Sequence, residues 1–373
     1  MRKPLEGVRV VELARILAGP WAGQMLADLG ADVTKVESPA GDDTRGWGPP
    51  FVERADGARE AAYFHGCNRG KRSIVADFEK ATDRAEVIEL VRDADIVIEN
   101  FKVGGLAKFG LDYESIKAVN PRLIYCSITG FGQTGPYRNR AGYDFMIQGM
   151  AGIMDLTGAA DGEPQKVGVA IADIFTGVYS VVAIEAALIE RARTGVGCHI
   201  DMALFDCMTG VLANQAMNHL VTGRSPRRLG NAHPNIVPYQ VFEVSDGHVI
   251  IACGNDRQYR ELCAILGRTD LADAPRFATN PDRVARRDEL VPMIAGELAG
   301  WSRAALLEAL ESRSVPAGPI NSVADVLADP QTLARGMRLN LEDEDGTTIP
   351  GLRLPILIDG QPMIADRPSP KLG

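Results

Sequence analysis

Asp173 stands where a helical pattern begins, inside the segment VGVAIADIFTGVYS at 167–180. A carboxylate in that position serves in one of two ways. It caps the helix by accepting a backbone N–H. Alternatively, kept ionised by the positive end of the helix dipole and flanked by apolar residues, it acts as a covalent nucleophile. The local sequence leaves both open. Three polar clusters suit an anion. NRGKRS at 68–73 offers Arg69, Lys71 and Arg72 ahead of a strand, either as a solvated turn or as phosphate contacts through charge-assisted hydrogen bonds. Asn100-Phe101-Lys102 ends another strand, where an aromatic between Asn and Lys suits an adenine and a phosphate as well as a plain strand end. GFGQTGPYRNRAGYD at 130–144 gathers Arg138, Arg140 and Tyr143 in one loop, which reads equally as ordinary solvated chain.

Other chemistries lack their residues. LAGP at 17–20 carries one glycine, so the dinucleotide fingerprint G-x-G-x-x-G is missing and nicotinamide chemistry is disfavoured. The five histidines form no H-x-x-x-H or H-E-x-x-H pair, so no metal site is expected. The six cysteines form no C-x-x-C pair and read as buried thiols in a reducing compartment.

These residues need a scaffold. Apolar runs at 8–13, 32–37, 73–78, 95–99 and 123–129 alternate with helical patterns such as 21–29 and 81–94, the former stopping at Gly30. Val/Ile-rich strands separated by helices predict an α/β domain of Rossmann type, a parallel sheet covered on both faces. A helix over 173–193, apolar nearly all round to Glu185, belongs in the interior or at a subunit contact. A strand at 198–204 and a second apolar helix to about 220 follow. After the Gly/Pro/Arg-rich stretch 222–235, a hairpin of 239–244 with 248–253 precedes helices at 256–266, 282–298 and 302–312. The expected division is a large domain over 1–205, completed by 330–373, and a small α+β domain over 225–320. Linkers are expected at 206–224 and 321–329.

At 373 residues the chain has room for two domains. Its 46% apolar and 24% charged residues are those of a globular protein. A net charge of -9 provides no broad basic footprint for nucleic acid or an anionic membrane. No secretory signal core and no apolar run of spanning length stand out, so a cytoplasmic protein is expected.

The ordered segments LEGVRVVELARILAGP (5–20), LADLGADVTKVESPAGDDTRGW (26–47), NRGKRSIVADF (68–78), ADIVIENF (94–101), NPRLIYCSITGFGQTGPY (120–137) and TGVGCHIDMALFD (194–206) resemble the family III CoA-transferases. That group includes formyl-CoA transferase, carnitine CoA-transferase and the α-methylacyl-CoA racemases. The resemblance implies an interlocked homodimer in which Asp173 is the nucleophile. It implies CoA contacts at Leu17, Ala18, Ala76, Asp77, Phe78, Asn100 and Phe101, with Lys108 and the Arg140–Tyr143 loop at the phosphates. Arg72 and Lys102 join them as phosphate contacts on the residue reading above. Ser38 departs from the basic residue of formyl-CoA transferase on the adenine side.

The implied chemistry is a mixed anhydride followed by an aspartyl-CoA thioester, with CoA and acyl-CoA as substrates and no permanently bound cofactor. The candidate lid is GNAHPNIVPY at 230–239, bulkier at His233, Pro234 and Asn235 than a glycine-rich loop. It points away from oxalate or formate and toward succinyl-CoA with a small dicarboxylate. His233 and Asn235 are the expected acceptor contacts, with loop anchoring as the plainer role for His233. Racemases carry His-Asp where this chain has Tyr143-Asp144. A tyrosine, with a pKa near ~10, is a poor base at neutral pH, which favours transfer over racemisation. A non-catalytic CoA-binding protein is the remaining alternative, and the intact Asp173 speaks against it.

Overall fold

The computed structural model describes residues 3–373. Its contacts define two compact units. The first holds the described residues up to Met154, with Lys166–Arg224 and Pro330–Gly373; the second holds Asp155–Gln165 and Ser225–Asp329.

In the first unit six parallel strands, β1 (Arg9–Glu12), β2 (Asp32–Glu37), β3 (Lys71–Val75), β4 (Ile96–Glu99), β5 (Ile124–Thr129) and β6 (Cys198–Ala203), lie in the order β3-β2-β1-β4-β5-β6. Successive side chains of a strand point to opposite faces, and here both faces are apolar. Val10, Ile96, Ile98, Ile124 and Cys126 pack in one core with Leu26 of α1 (Ala18–Asp28). Val11, Val97 and Tyr125 face the other way, onto Val87 and Val91 of α2 (Ala81–Arg92) and Ile116 of α3 (Tyr113–Val119). This double coverage is why the strands read as unbroken apolar runs. α1 stops where expected, at Gly30, whose φ of +109° a residue with a Cβ would adopt only under strain.

α4 (Asp144–Met150) precedes α5 (Ile171–Thr194), whose Val181 and Ile184 join the first core. At 24 residues α5 is long and apolar enough to cross a membrane, contrary to the expectation that no apolar run reaches that length. The core helix of a globular protein has the same composition, and one face of α5 packs on α1 and the sheet. Residues 206–224, expected as a linker, are largely helical, in α6 (Leu204–Gly210) and α7 (Ala213–Thr222) of the first unit.

In the second unit β7 (Tyr239–Val244), β8 (Gly247–Ala252) and β9 (Ala317–Pro319) form an antiparallel sheet with β8 central. Its core sets Phe242, Val249 and Ile251 against Leu262, Ile294 and Leu306. The single helix expected over 282–298 is two, Asn280–Ala285 and Arg287–Leu298. Arg286 breaks the run with φ −122° and ψ 28°. The C-terminal tail belongs to the first unit, where the Ala365 N–H donates to Asp28 at 2.8 Å.

Candidate active site

In an open parallel sheet, ligands bind outside the carboxyl ends of the strands, where the strand order reverses. Here that point lies between β1 and β4. The loop after β1 and the loop after β4 are tied together there. The Arg15 N–H donates to Asn100 Oδ1 at 3.0 Å, and Asn100 Nδ2 donates to the Arg15 carbonyl at 2.7 Å. Above this junction lies a cavity of about 410 Å³. Asp173, Leu17, Ala18, Asn100, Phe101, Lys102, Lys108, Arg140 and Tyr143 all line it, so one space collects most of the residues singled out from sequence. A second cavity, of about 300 Å³, holds Ala76, Asp77 and Phe78. Arg15, Phe101 and Phe109 border both cavities. Phe78 packs on Phe101 and Phe109, with ring centroids 6.1 Å and 5.7 Å apart. β3 was expected over 73–78 but runs Lys71–Val75, which leaves 76–78 as loop at the strand's carboxyl end.

Asp173 is not a cap. α5 begins two residues earlier, at Ile171, and its N-cap, Ala170, provides no side-chain acceptor. Asp144 supplies it instead: Oδ1 accepts the Ala172 N–H at 2.8 Å, while Oδ2 accepts from Gln148 Nε2 at 2.8 Å. The Asp173 carboxylate is thereby left without a hydrogen-bond donor among the described residues. Burial, and then the negative charge of Asp144, push its pKa up from 3.8 to about 7. The expectation that the helix dipole keeps it ionised is corrected here. Loss of hydration disfavours the charged form more than the dipole favours it. At neutral pH both protonation states are populated. Tyr63 also senses this charge, its hydroxyl pushed up to about 12 by burial and then by Asp173.

The cationic wall is lightly committed. Lys108 pairs with Glu79 at 3.1 Å in an exposed contact and sits 4.3 Å from the Phe109 ring centre. Arg140 stacks over Tyr137 at 3.9 Å. Exposed pairs of this kind are worth little, so both cations can turn to an incoming anion.

The NRGKRS cluster is not part of this wall. Arg72 lines neither cavity; it lies near the amino end of β3 and pairs with Asp32 at 2.7 Å. Arg69 is buried against Asp28 at 2.6 Å, and Lys71 is buried against Glu12 at 2.8 Å. Phosphate contact by these three is therefore set aside: the carboxyl ends of the strands face the cavities, and this cluster is at the other end. His233 and Asn235 belong to the second unit. There the Asn235 N–H donates to His233 Nδ1 at 3.1 Å, and Arg287 donates to the His233 carbonyl at 3.0 Å, contacts that order the 230–239 loop.

Sequence reading named Asp144 only as the neighbour of Tyr143 and gave it no role. Its signal was present, an acidic residue at the head of the FMIQGM helical run, but nothing local says that it caps a different helix. Lys35 gave a clearer one: a lysine in the middle of a buried strand is a local conflict of the kind that marks functional sites.

A model of the family described as "CoA-transferase family III" matches residues 5–373. The succinate–glutarate CoA-transferase of Agrobacterium fabrum is 62% identical over 100% of this chain and 94% of its own length. The succinyl-CoA:glutarate CoA-transferase of Mus musculus is 44% identical over 94% of this chain and 80% of its own. The crystal structure of a CAIB/BAIF family protein from Brucella suis superposes with a TM-score of 0.88 at 64% identity, covering 100% of this chain and 97% of that one. With the family pattern matched from the first strand to the last residue, this chain belongs to the family III CoA-transferases and is a CoA-transferase.

Proposed function

We propose that the protein moves CoA between succinyl-CoA and a small dicarboxylic acid, of the size of glutarate, with Asp173 as the covalent nucleophile. The observation that carries this reading is the position of Asp173: a half-buried carboxylate, relieved of helix capping by Asp144, and facing a cavity edged with lightly held cations. Two relatives named for succinate or succinyl-CoA and glutarate support the acid pair.

An Asp173 oxygen attacks the thioester carbonyl; the C–S bond breaks, giving a mixed anhydride and CoA thiolate. The thiolate attacks the aspartyl carbonyl and the donor acid departs as carboxylate, leaving an aspartyl-CoA thioester. An acceptor carboxylate displaces CoA thiolate from that thioester, forming a second anhydride. The thiolate then attacks the acceptor's carbonyl, and Asp173 is regenerated. Holding a half-buried carboxylate against the thioester, with water displaced by the bound acyl-CoA, supplies what a weak nucleophile lacks in water. The first N–H groups of α1, which have no partner within their helix, border the same cavity at Ala18 and suit the developing oxyanion. Lys102, Lys108 and Arg140 take the CoA phosphates, and Phe78, Phe101 and Phe109 the adenine.

The working form in this reading is an interlocked homodimer with a Rossmann-type large domain, acting in the cytoplasm. Exposed Val182 and Ile189 on α5, with Leu220 and Val221 on α7, support a subunit contact, since apolar surface of this extent marks interaction sites. The six free thiols suit a reducing compartment.

Hydroxylamine added during turnover with succinyl-CoA and glutarate traps activated acyl groups. The expected outcome is a hydroxamate on Asp173 and on no other carboxylate, with exchange abolished in a folded Asp173→Ala variant. Turnover by that variant would remove Asp173 from the mechanism.

A further inference from the structure

The backbone at 14–16, between β1 and α1, is held in an unfavourable conformation. Ile16 has φ +72°, in the left-handed region where a β-branched residue is rarely found. Such a conformation persists only where the surroundings over-determine it. Here three side chains from three parts of the fold grip three consecutive residues. Lys35 of β2 donates to the Ala14 carbonyl at 2.8 Å. Asn100 takes both the N–H and the carbonyl of Arg15. Asp42 accepts the Ile16 N–H, at 3.2 Å and 3.3 Å to its two oxygens. The next two residues, Leu17 and Ala18, border the cavity with Asp173.

Lys35 and Asp42 are themselves linked at 2.9 Å, and Lys35 reaches Glu12 at 3.1 Å; all three side chains are 1% exposed or less. Burial alone would lower the Lys35 pKa, but Glu12 and Asp42 hold it above its ordinary range. Burial alone would raise that of Asp42, but Lys35 and the Thr44 backbone N–H hold it below its own. Both groups are charged at neutral pH. An apolar pair of equal volume would fill this core as well or better. What it cannot do is donate to Ala14 and accept from Ile16.

We propose that Asp42 and Lys35 are positioning residues for the transfer reaction, clamping 14–16 so that the first turn of α1 is presented to Asp173. The inference rests on the reading of the Asp173 cavity as the transfer site. The clamp sets the first turn of α1, so its loss bears chiefly on kcat; because Lys35 and Asp42 also border the cavity that holds Ala76, Asp77 and Phe78, a smaller effect on CoA affinity accompanies it.

The test compares kcat for succinyl-CoA:glutarate exchange with the Kd of free CoA, measured calorimetrically on the full-length chain. Asp42→Ala is expected to lower kcat about 10²-fold, the scale of a misplaced reacting group, and to change Kd by less than about tenfold. Asp42→Asn retains an acceptor for Ile16 and is expected to recover most of the loss. Ile16→Gly, combined with Asp42→Ala, should restore at least about tenfold, because glycine adopts such a positive φ without help. A general loss of stability would not be repaired by that second change. Asn100→Ala, which removes two of the hydrogen bonds to Arg15, is read by kcat alone if Asp42→Ala does not fold, because Asn100 also borders the CoA cavity. Wild-type kcat in folded Asp42→Ala and Asn100→Ala variants overturns the clamp. So does a loss that is mitigated neither by choosing Asp42→Asn in place of Asp42→Ala nor by adding Ile16→Gly. Absence of exchange in the wild-type protein would overturn the clamp together with the reading of the cavity.

Discussion

Two carboxylates with unlike duties meet at the start of α5. Asp144 caps the helix and Asp173 stays free, so one sets the electrostatic surroundings of the other. Because the nucleophile must be ionised, kcat/KM for the acyl-CoA should rise with pH and level off above about 7, the value for Asp173 in the free protein. Asp144→Asn keeps an acceptor for the Ala172 N–H and removes the neighbouring charge. It should move that limb to lower pH, as a kcat/KM profile would register. The same shift has a consequence for stability. Asp173 has a native pKa raised from 3.8 to about 7, so the folded state binds the extra proton. Its contribution therefore declines as pH climbs from 3.8 through 7, a cost reaching roughly 4 kcal/mol above that window. Asp173→Asn should thus melt higher than wild type at pH 8 and match it near pH 4. Equal melting temperatures at pH 8 would mean that Asp173 is well hydrated.

Among the elements, the contact of α1 with α5 decides how near the loop after β1 comes to the nucleophile. Gly177 lies one turn beyond Asp173. A Cβ there would meet the Ala18 carbonyl at 2.8 Å and Trp21 at 3.0 Å, the first of these being backbone that cannot swing aside. Gly177→Ala should therefore separate the two helices, at about 1–3 kcal/mol of stability. It should also lower kcat more than about tenfold, because the displaced turn is the one bordering Asp173. Denaturant melts and steady-state kinetics on the same preparation separate the two effects. The strands were legible at this level. β2 begins and ends where its apolar run does, and the others end within a few residues of theirs, because a two-sided apolar environment leaves a long Val/Ile signature. β3 was displaced because its first residue, Lys71, reads as a solvent-exposed cation. Its backbone pairs with Val33 of β2, and its ammonium is buried against Glu12.

For the whole molecule, the outward apolar face of α5 and α7 is the feature that most needs a partner. Leu220 and Val221 are 73% and 77% exposed. If they bury themselves in the proposed homodimer, replacing both with Asp should weaken association by about 3 kcal/mol or more. Sedimentation or light scattering would then give a monomer mass at concentrations where the wild-type chain is a dimer. An unchanged dimer would put the subunit contact elsewhere.

The sequence by itself determined the parallel α/β architecture and the family, because periodic apolar runs and long ordered motifs are local and survive without knowledge of contacts. It also brought forward residues of the Asp173 cavity, some, such as Asn100 and Lys102, because they stand just after a strand, and others, such as Leu17, Ala18 and Lys108, through the family resemblance. Tertiary structure alone decided the charge states and the division of labour. Asp173 read as a possible cap until Asp144, 29 positions upstream, was found at the Ala172 N–H. Arg69, Lys71 and Arg72 read as anion contacts until their partners appeared in Asp28, Glu12 and Asp32. A side chain's type fixes what it can bond, but the desolvation and partners that set its charge come from residues distant in the chain.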